Sequence, residues 1–192
     1  MQDSDSLLNA ARTTAECLGL PWAEVQPYYR TLQEPYGEDT VAWLPKSAGR
    51  RIWFASPTFI ARLLVAMAAT SNPAAASFMV AWSRQLDHVE YSDKPHGRLV
   101  HGSETLLEDE VIRYLRDAKS AEDLDFIEVQ HDRNTIIIAK KDGARVTFST
   151  TADTTKATNA PGLRRRGVID GAVFAAIASR VRWRECGDNR PY

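Results

Sequence analysis

Trp22, Gln26, Tyr29 and Arg30 put two aromatic rings, an amide and a guanidinium along one short stretch. These side-chain types read base edges and grip phosphates when a helix presents them. The apolar positions around them are spaced as a helix-turn-helix unit requires: Ala15 precedes Gly19 by four residues, Leu18 adjoins it, Val25 follows by six and Tyr28 by nine. A small residue at Ala15 lets the second helix approach the first, Gly19 makes the sharp turn, and Val25 and Tyr28 fold the second helix back. Such a unit projects its second helix into the major groove of duplex DNA. Lys46, Arg50 and Arg51 follow in a segment placed for phosphate contacts, which hold a duplex without reading its sequence. Pro27 interrupts the pattern, because it removes the hydrogen bond to the Ala23 carbonyl at a cost of roughly 3 kcal/mol. The second helix either kinks there or begins there. A helical hairpin that only packs a core shows the same spacing, so both readings stand at this point.

Other clusters carry less chemistry. His88, His96 and His101, with Asp87, Glu90 and Asp93 nearby, offer metal-ligating side chains at a spacing that matches no established ligand pattern. No metal and no cofactor is expected. Cys17 and Cys186 lie far apart without a metal-ligand spacing. The sequence contains no HExxH, no GxSxG and no phosphate-cradling glycine loop, so no enzyme is expected. Arg164, Arg165 and Arg166, with Arg180, Arg182 and Arg184, form the most basic region of the chain. They suit phosphates, an acidic partner or a solvated surface equally well.

The 192 residues, 44% of them hydrophobic, are enough to close a core. A net charge of -1 means that any attraction to a polyanion is local. The charge is unevenly distributed. Residues 1–89 hold 7 basic and 8 acidic groups, residues 90–132 hold 5 and 12, and residues 133–192 hold 12 and 5. Opposite excesses in adjacent segments predict association, within the chain or between chains, so a homo-oligomer or a protein partner is expected. The acidic start Met1-Gln2-Asp3-Ser4-Asp5 lacks a secretory signal, and no apolar run is long enough to span a bilayer. The expectation is a cytoplasmic protein without a membrane partner.

These residues need elements to position them. Leu7, Leu8, Ala11, Ala15 and Leu18 recur at helical spacing and stop at Gly19. Residues 41–44 and 51–54 are apolar runs around Pro45 to Arg50, which predicts a β-hairpin with a basic tip where a winged helix carries its wing. Ser56-Pro57 and Asn72-Pro73 predict two further helix starts, the first burying Ile60, Leu63, Leu64 and Met67 and the second Phe78, Met79, Trp82 and Leu86. The polar stretch from Tyr91 to Gly97 marks a boundary. Beyond it Ser103 caps an acidic helix with Leu107, Val111, Tyr114 and Leu115 on its apolar side. Three β-branched runs then follow at 126–129, 135–138 and 144–148, the last two joined by Asp142-Gly143. Thr150 to Gly162 lacks periodicity and reads as a mobile loop. Asp170 caps a final helix through Val173, Phe174, Ile177 and Val181. Trp43, Trp53 and Trp82 fall where the local period turns them inward.

Several stretches resemble uncharacterised winged-helix-like proteins of alphaproteobacterial prophages and mobile elements. They are Ala15-Glu16-Cys17-Leu18-Gly19-Leu20-Pro21, Tyr29-Arg30-Thr31-Leu32-Gln33-Glu34, Gly49-Arg50-Arg51 and Ala61-Arg62-Leu63-Leu64-Val65-Ala66. The resemblance spans roughly residues 7–86, with an echo near Gly171 to Val181, and it implies a regulator. This sequence departs from the pattern at Pro27 and in a wing poorer in glycine.

The expected fold is therefore α+β. Residues 1–90 form a winged helix-turn-helix-like lobe with two further helices, 91–102 a linker, and 103–192 a lobe with a three-stranded antiparallel meander and flanking helices. The leading expectation is a sequence-specific regulator that binds double-stranded DNA through Trp22, Gln26, Tyr29, Arg30, Lys46, Arg50 and Arg51. In that reading Arg164, Arg165 and Arg166 contact a partner or phosphates. The alternative is a non-enzymatic structural or protein-interaction module, such as a phage assembly or adaptor subunit.

Overall fold

A computed structural model of the chain describes residues 4–37, 42–48, 52–90, 98–100, 106–130, 133–150 and 167–184. Helix α1 (Leu7–Cys17) starts where the Ser6 side chain accepts the Asn9 amide at 3.2 Å, satisfying an amide that the first helical turn leaves unpaired. It ends at Gly19, whose φ of +69 gives the left-handed turn that a side chain would resist. Helix α2 (Trp22–Leu32) runs straight through Pro27, so the helix begins before the proline and not at it.

Pro57 occupies the first turn of α3 (Pro57–Ala69), where its missing N–H costs nothing, although Ser56 makes no side-chain capping bond. Asn72 does cap, accepting the Ala74 amide at 3.1 Å at the start of a 3-10 turn, Pro73–Ala75, which leads into α4 (Ala76–Ser83). Met79, Trp82 and Leu86 are buried as their spacing predicts, but Phe78 is 50% exposed. The stripe that α4 buries runs through Ala76, Met79, Val80 and Ser83, which turns Phe78 outward.

Strands β1 (Asp87–Glu90) and β2 (Arg98–Val100) follow, then α5 (Leu107–Arg116), α6 (Ala118–Glu122), β3 (Leu124–Gln130), β4 (Thr135–Lys140), β5 (Arg145–Ser149), β6 (Gly167–Asp170) and α7 (Gly171–Arg180). The strands form one antiparallel sheet in the order β2-β1-β5-β4-β3-β6. The expected meander is its β3-β4-β5 centre, turned at Gly143 with φ +89. Register puts Ile169, Ile127, Ile138 and Val146 in one row, with Val129, Ile136 and Phe148 in the next. Both rows belong to the core that the helices cover. The opposite face holds Glu128, Ile137 and Thr147, beside Thr135 and Ser149 with hydroxyls 3.2 Å apart.

Helix α3 lies at the centre of this core. Ile60, Ala61, Leu63, Leu64, Val65 and Ala66 are all buried, the pattern of a helix surrounded on most sides. It packs on α1, α2, α4, α5, β3 and β6. Residues from Leu7 to Val181 share a single hydrophobic cluster. The expected linker therefore does not separate the chain into lobes with cores of their own. Strand β1, from one side of it, hydrogen-bonds to β5, from the other, and β2 lies within the linker itself.

The expected wing is also not found among the described residues. The arms of the predicted hairpin are taken by other neighbours. Ala42 bridges to Pro35, and the Leu44 amide donates to the Leu32 carbonyl at 2.8 Å. Phe54 bridges to Ser6, and the Trp53 carbonyl accepts the Leu7 amide at 2.8 Å. Several expectations lie outside the described residues: Val41, Arg50 and Arg51, residues 91–97 and 101–102 of the linker, Ser103 as a cap, the loop at 151–162, Arg164, Arg165 and Arg166, and Cys186. No helix among the described residues is long and apolar enough to cross a membrane.

Candidate functional site

A pocket of about 190 Å³ opens between α3, α4 and the start of α5. Ala61, Val65, Val80, Leu107 and Val111 supply apolar wall, and Arg62, Arg84 and Glu108 bring charge to it. The charged groups form a chain. Arg62 donates through Nε to Glu108 Oε1 at 2.8 Å and through Nη1 to the Trp43 carbonyl at 3.0 Å. Arg84 stands 3.7 Å from Glu108 Oε2, beyond hydrogen-bond range. Both guanidinium groups lie over the Trp43 ring, at 5.5 and 5.6 Å from its centroid, where the face of the indole attracts cations. The Trp43 Nε1 is itself buried without a hydrogen-bond partner.

The two inner charges are largely withdrawn from water, with 18% of the Arg62 side chain and 22% of Glu108 exposed, whereas Arg84 is 50% exposed. A guanidinium taken out of water needs a carboxylate to compensate. That requirement is the one trace the site leaves in the sequence. Arg62 is the only charged residue in Pro57–Ala69, and a lone cation in a buried apolar helix calls for a partner. The partner is 46 residues away, so no local spacing connects them.

The residues expected to read DNA are placed differently from one another. Tyr29 is 6% exposed and belongs to the core, which corrects its expected outward position. The stripe that α2 buries is Val25, Tyr28, Tyr29 and Leu32, so two adjacent tyrosines both turn inward. Burial pushes the Tyr29 phenol up to about 12, keeping it neutral at ordinary pH. Trp22 is half-buried, edge-on to Tyr29 at 5.7 Å and covered by Arg12 at 5.8 Å. Gln26 is half-buried and Arg30 exposed, and the remaining exposed positions of the helix include Glu24 and Pro27. Lys46 is exposed and paired with Glu34 at 2.9 Å, an ion pair weakened by water. His88 lies on β1 with its ring 5.7 Å from that of Phe148; His96 and His101 lie outside the described residues. Among the described residues no three His, Cys, Asp or Glu side chains are grouped to hold a metal ion. Trp82 is buried, while Trp43 and Trp53 are partly buried against the core.

No protein-family model, no curated protein and no solved structure matches this chain.

Proposed function

We propose that this chain is a non-enzymatic binding module whose site is the pocket between α3, α4 and α5. One observation carries the reading: apolar wall and a few convergent charged groups meet in one open concavity, the make-up of a small-ligand site. The polar groups there are suited to holding rather than reacting. Ser83 Oγ is spent on the Val80 carbonyl at 2.8 Å, and Glu108 is held by Arg62. A volume near 190 Å³ suits a ligand of about six to ten non-hydrogen atoms, since benzene enters an apolar cavity of roughly 150 Å³. Titrating methyl-labelled protein with hexanol, a neutral probe of that size, is expected to give saturating shifts confined to Val65, Val80, Leu107 and Val111. Val65→Phe, which fills the space, is expected to abolish them. Shifts that stay linear and scattered over the surface would remove the pocket from consideration.

A second reading, duplex DNA binding by a regulator, is favoured by the α1–α2 pair. Gly19 makes a left-handed turn between the two helices, and Ala15 and Val25 are buried. In this reading Arg30 contacts a phosphate, with Gln26 and Trp22 beside it. Arg30→Ala is then expected to weaken binding equally on all sequences and to lower the salt slope by about one. Absence of any gel shift at about 50 mM salt, where phosphate contacts are strong, would end this reading.

A further inference from the structure

We infer that the pocket takes a carboxylate with a short apolar tail, held by Arg84; this rests on the reading of the pocket as a binding site. The two arginines at the pocket differ in what remains of their hydrogen-bonding capacity. Arg62 is committed to Glu108 and to the Trp43 carbonyl, and its position beneath the surface fixes it there. Arg84 has only the 3.7 Å approach to Glu108 and the Trp43 ring. Its side chain makes no hydrogen bond among the described residues, so the planar fork of five N–H donors is held in place and unspent. A fork of that shape matches two carboxylate oxygens.

Charge selects the ligand further. Arg62, Arg84 and Glu108 together carry one net positive charge, which a monoanion neutralises. A cationic head would face the unspent guanidinium, and a dianion would bring a second negative charge up to the Glu108 carboxylate. The apolar wall from Ala61, Val65, Val80, Leu107 and Val111 lies beside this head-group position. It shelters a chain of roughly five to eight carbons from water, each buried methylene adding favourable transfer energy.

The test compares hexanoate, hexanol, hexylamine and hexyl phosphate on the full chain by the same methyl-resolved titration. Hexanoate is expected to bind at least tenfold more tightly than hexanol, the scale of one charge-assisted contact. Hexyl phosphate is expected to fall below hexanoate, and hexylamine to show no saturation. Arg84→Gln, at a half-exposed position that the fold does not need, is expected to bring hexanoate down to the affinity of the alcohol. Hexanol binding as tightly as hexanoate, or hexanoate binding unaltered by Arg84→Gln, would overturn the carboxylate assignment while the pocket itself stands. Hexyl phosphate or hexylamine ahead of hexanoate would overturn it as well. Failure of all four probes would overturn the pocket and the assignment together.

Discussion

Gly171→Ala is expected to destabilise the fold by about 3–5 kcal/mol, a loss seen when a side chain is forced into space that cannot yield. A Cβ at Gly171 would lie 2.0 Å from the Leu124 carbonyl oxygen and 3.1 Å from that of Asp125. Both obstacles are backbone, so no rotamer change relieves them. In an ordinary helical position alanine would gain up to about 1 kcal/mol over glycine; here the clash reverses the sign. Gly167→Ala meets the same obstacle against the Ala68 carbonyl oxygen, at 1.9 Å. The two glycines thus allow α7 to sit directly on β3 and β6 directly on α3. Urea unfolding should show lower midpoints at an unchanged slope for both variants. Gly143→Ala serves as a contrast, because a Cβ there meets nothing within 4 Å and only the φ of +89 opposes it. Its cost should be about 1–2 kcal/mol. Losses below about 1 kcal/mol at both Gly167 and Gly171 would contradict the close approach of these elements.

Pro27→Ala is expected to act in the opposite direction and to stabilise the protein by about 1–3 kcal/mol. Proline inside a helix forfeits one backbone hydrogen bond and crowds the preceding turn, at roughly 3 kcal/mol. Some of that is offset because proline also restricts the unfolded chain, by about 0.4–1 kcal/mol. Pro27 is exposed and lies six residues into α2, so alanine restores the bond to the Ala23 carbonyl without disturbing a packed contact. For a chain of this size, a gain of that order raises the melting temperature by roughly 3–10 °C. A neutral or lowered melting temperature would mean that the helix effectively starts at the proline, and Trp22 would then leave it.

Elements with a strong local period are plain in the sequence. The apolar stripe Leu107, Val111, Tyr114, Leu115 locates α5, the β-branched runs with Asp142-Gly143 locate the meander, and Asp170 marks the start of α7, where its side chain accepts the Ala172 amide at 2.7 Å. Strands β1, β2 and β6 are not plain. They have four, three and four residues, and the first reads Asp-His-Val-Glu, too short and too polar for alternation to register. What makes them strands is the pairing edge that the meander offers, a tertiary effect. The orientation of Tyr29 was hidden for a related reason: a second aromatic next to Tyr28 satisfies an inward or an outward reading until the neighbouring elements are known. The pocket is the least legible feature of all, since Arg62, Arg84 and Glu108 come from three helical segments and meet only when α3 is enclosed.

The backbone near residue 5 is tied to the backbone near residue 182. The Asp5 amide donates to the Arg182 carbonyl at 3.0 Å, the Arg182 amide returns a bond to the Asp5 carboxylate at 2.8 Å, and α1 packs on α7. The first helix to leave the ribosome therefore has its docking surface on the last. Roughly 160 residues separate them, which at about 5–20 residues per second leaves α1 waiting roughly ten to thirty seconds for its partner. During that interval Leu7, Ala10, Ala11 and Ala15 are uncovered on the α7 side, and the nascent chain carries an apolar helix that a chaperone can hold. A translational pause placed before residue 171 would lengthen the exposure, and one placed after residue 184 would not.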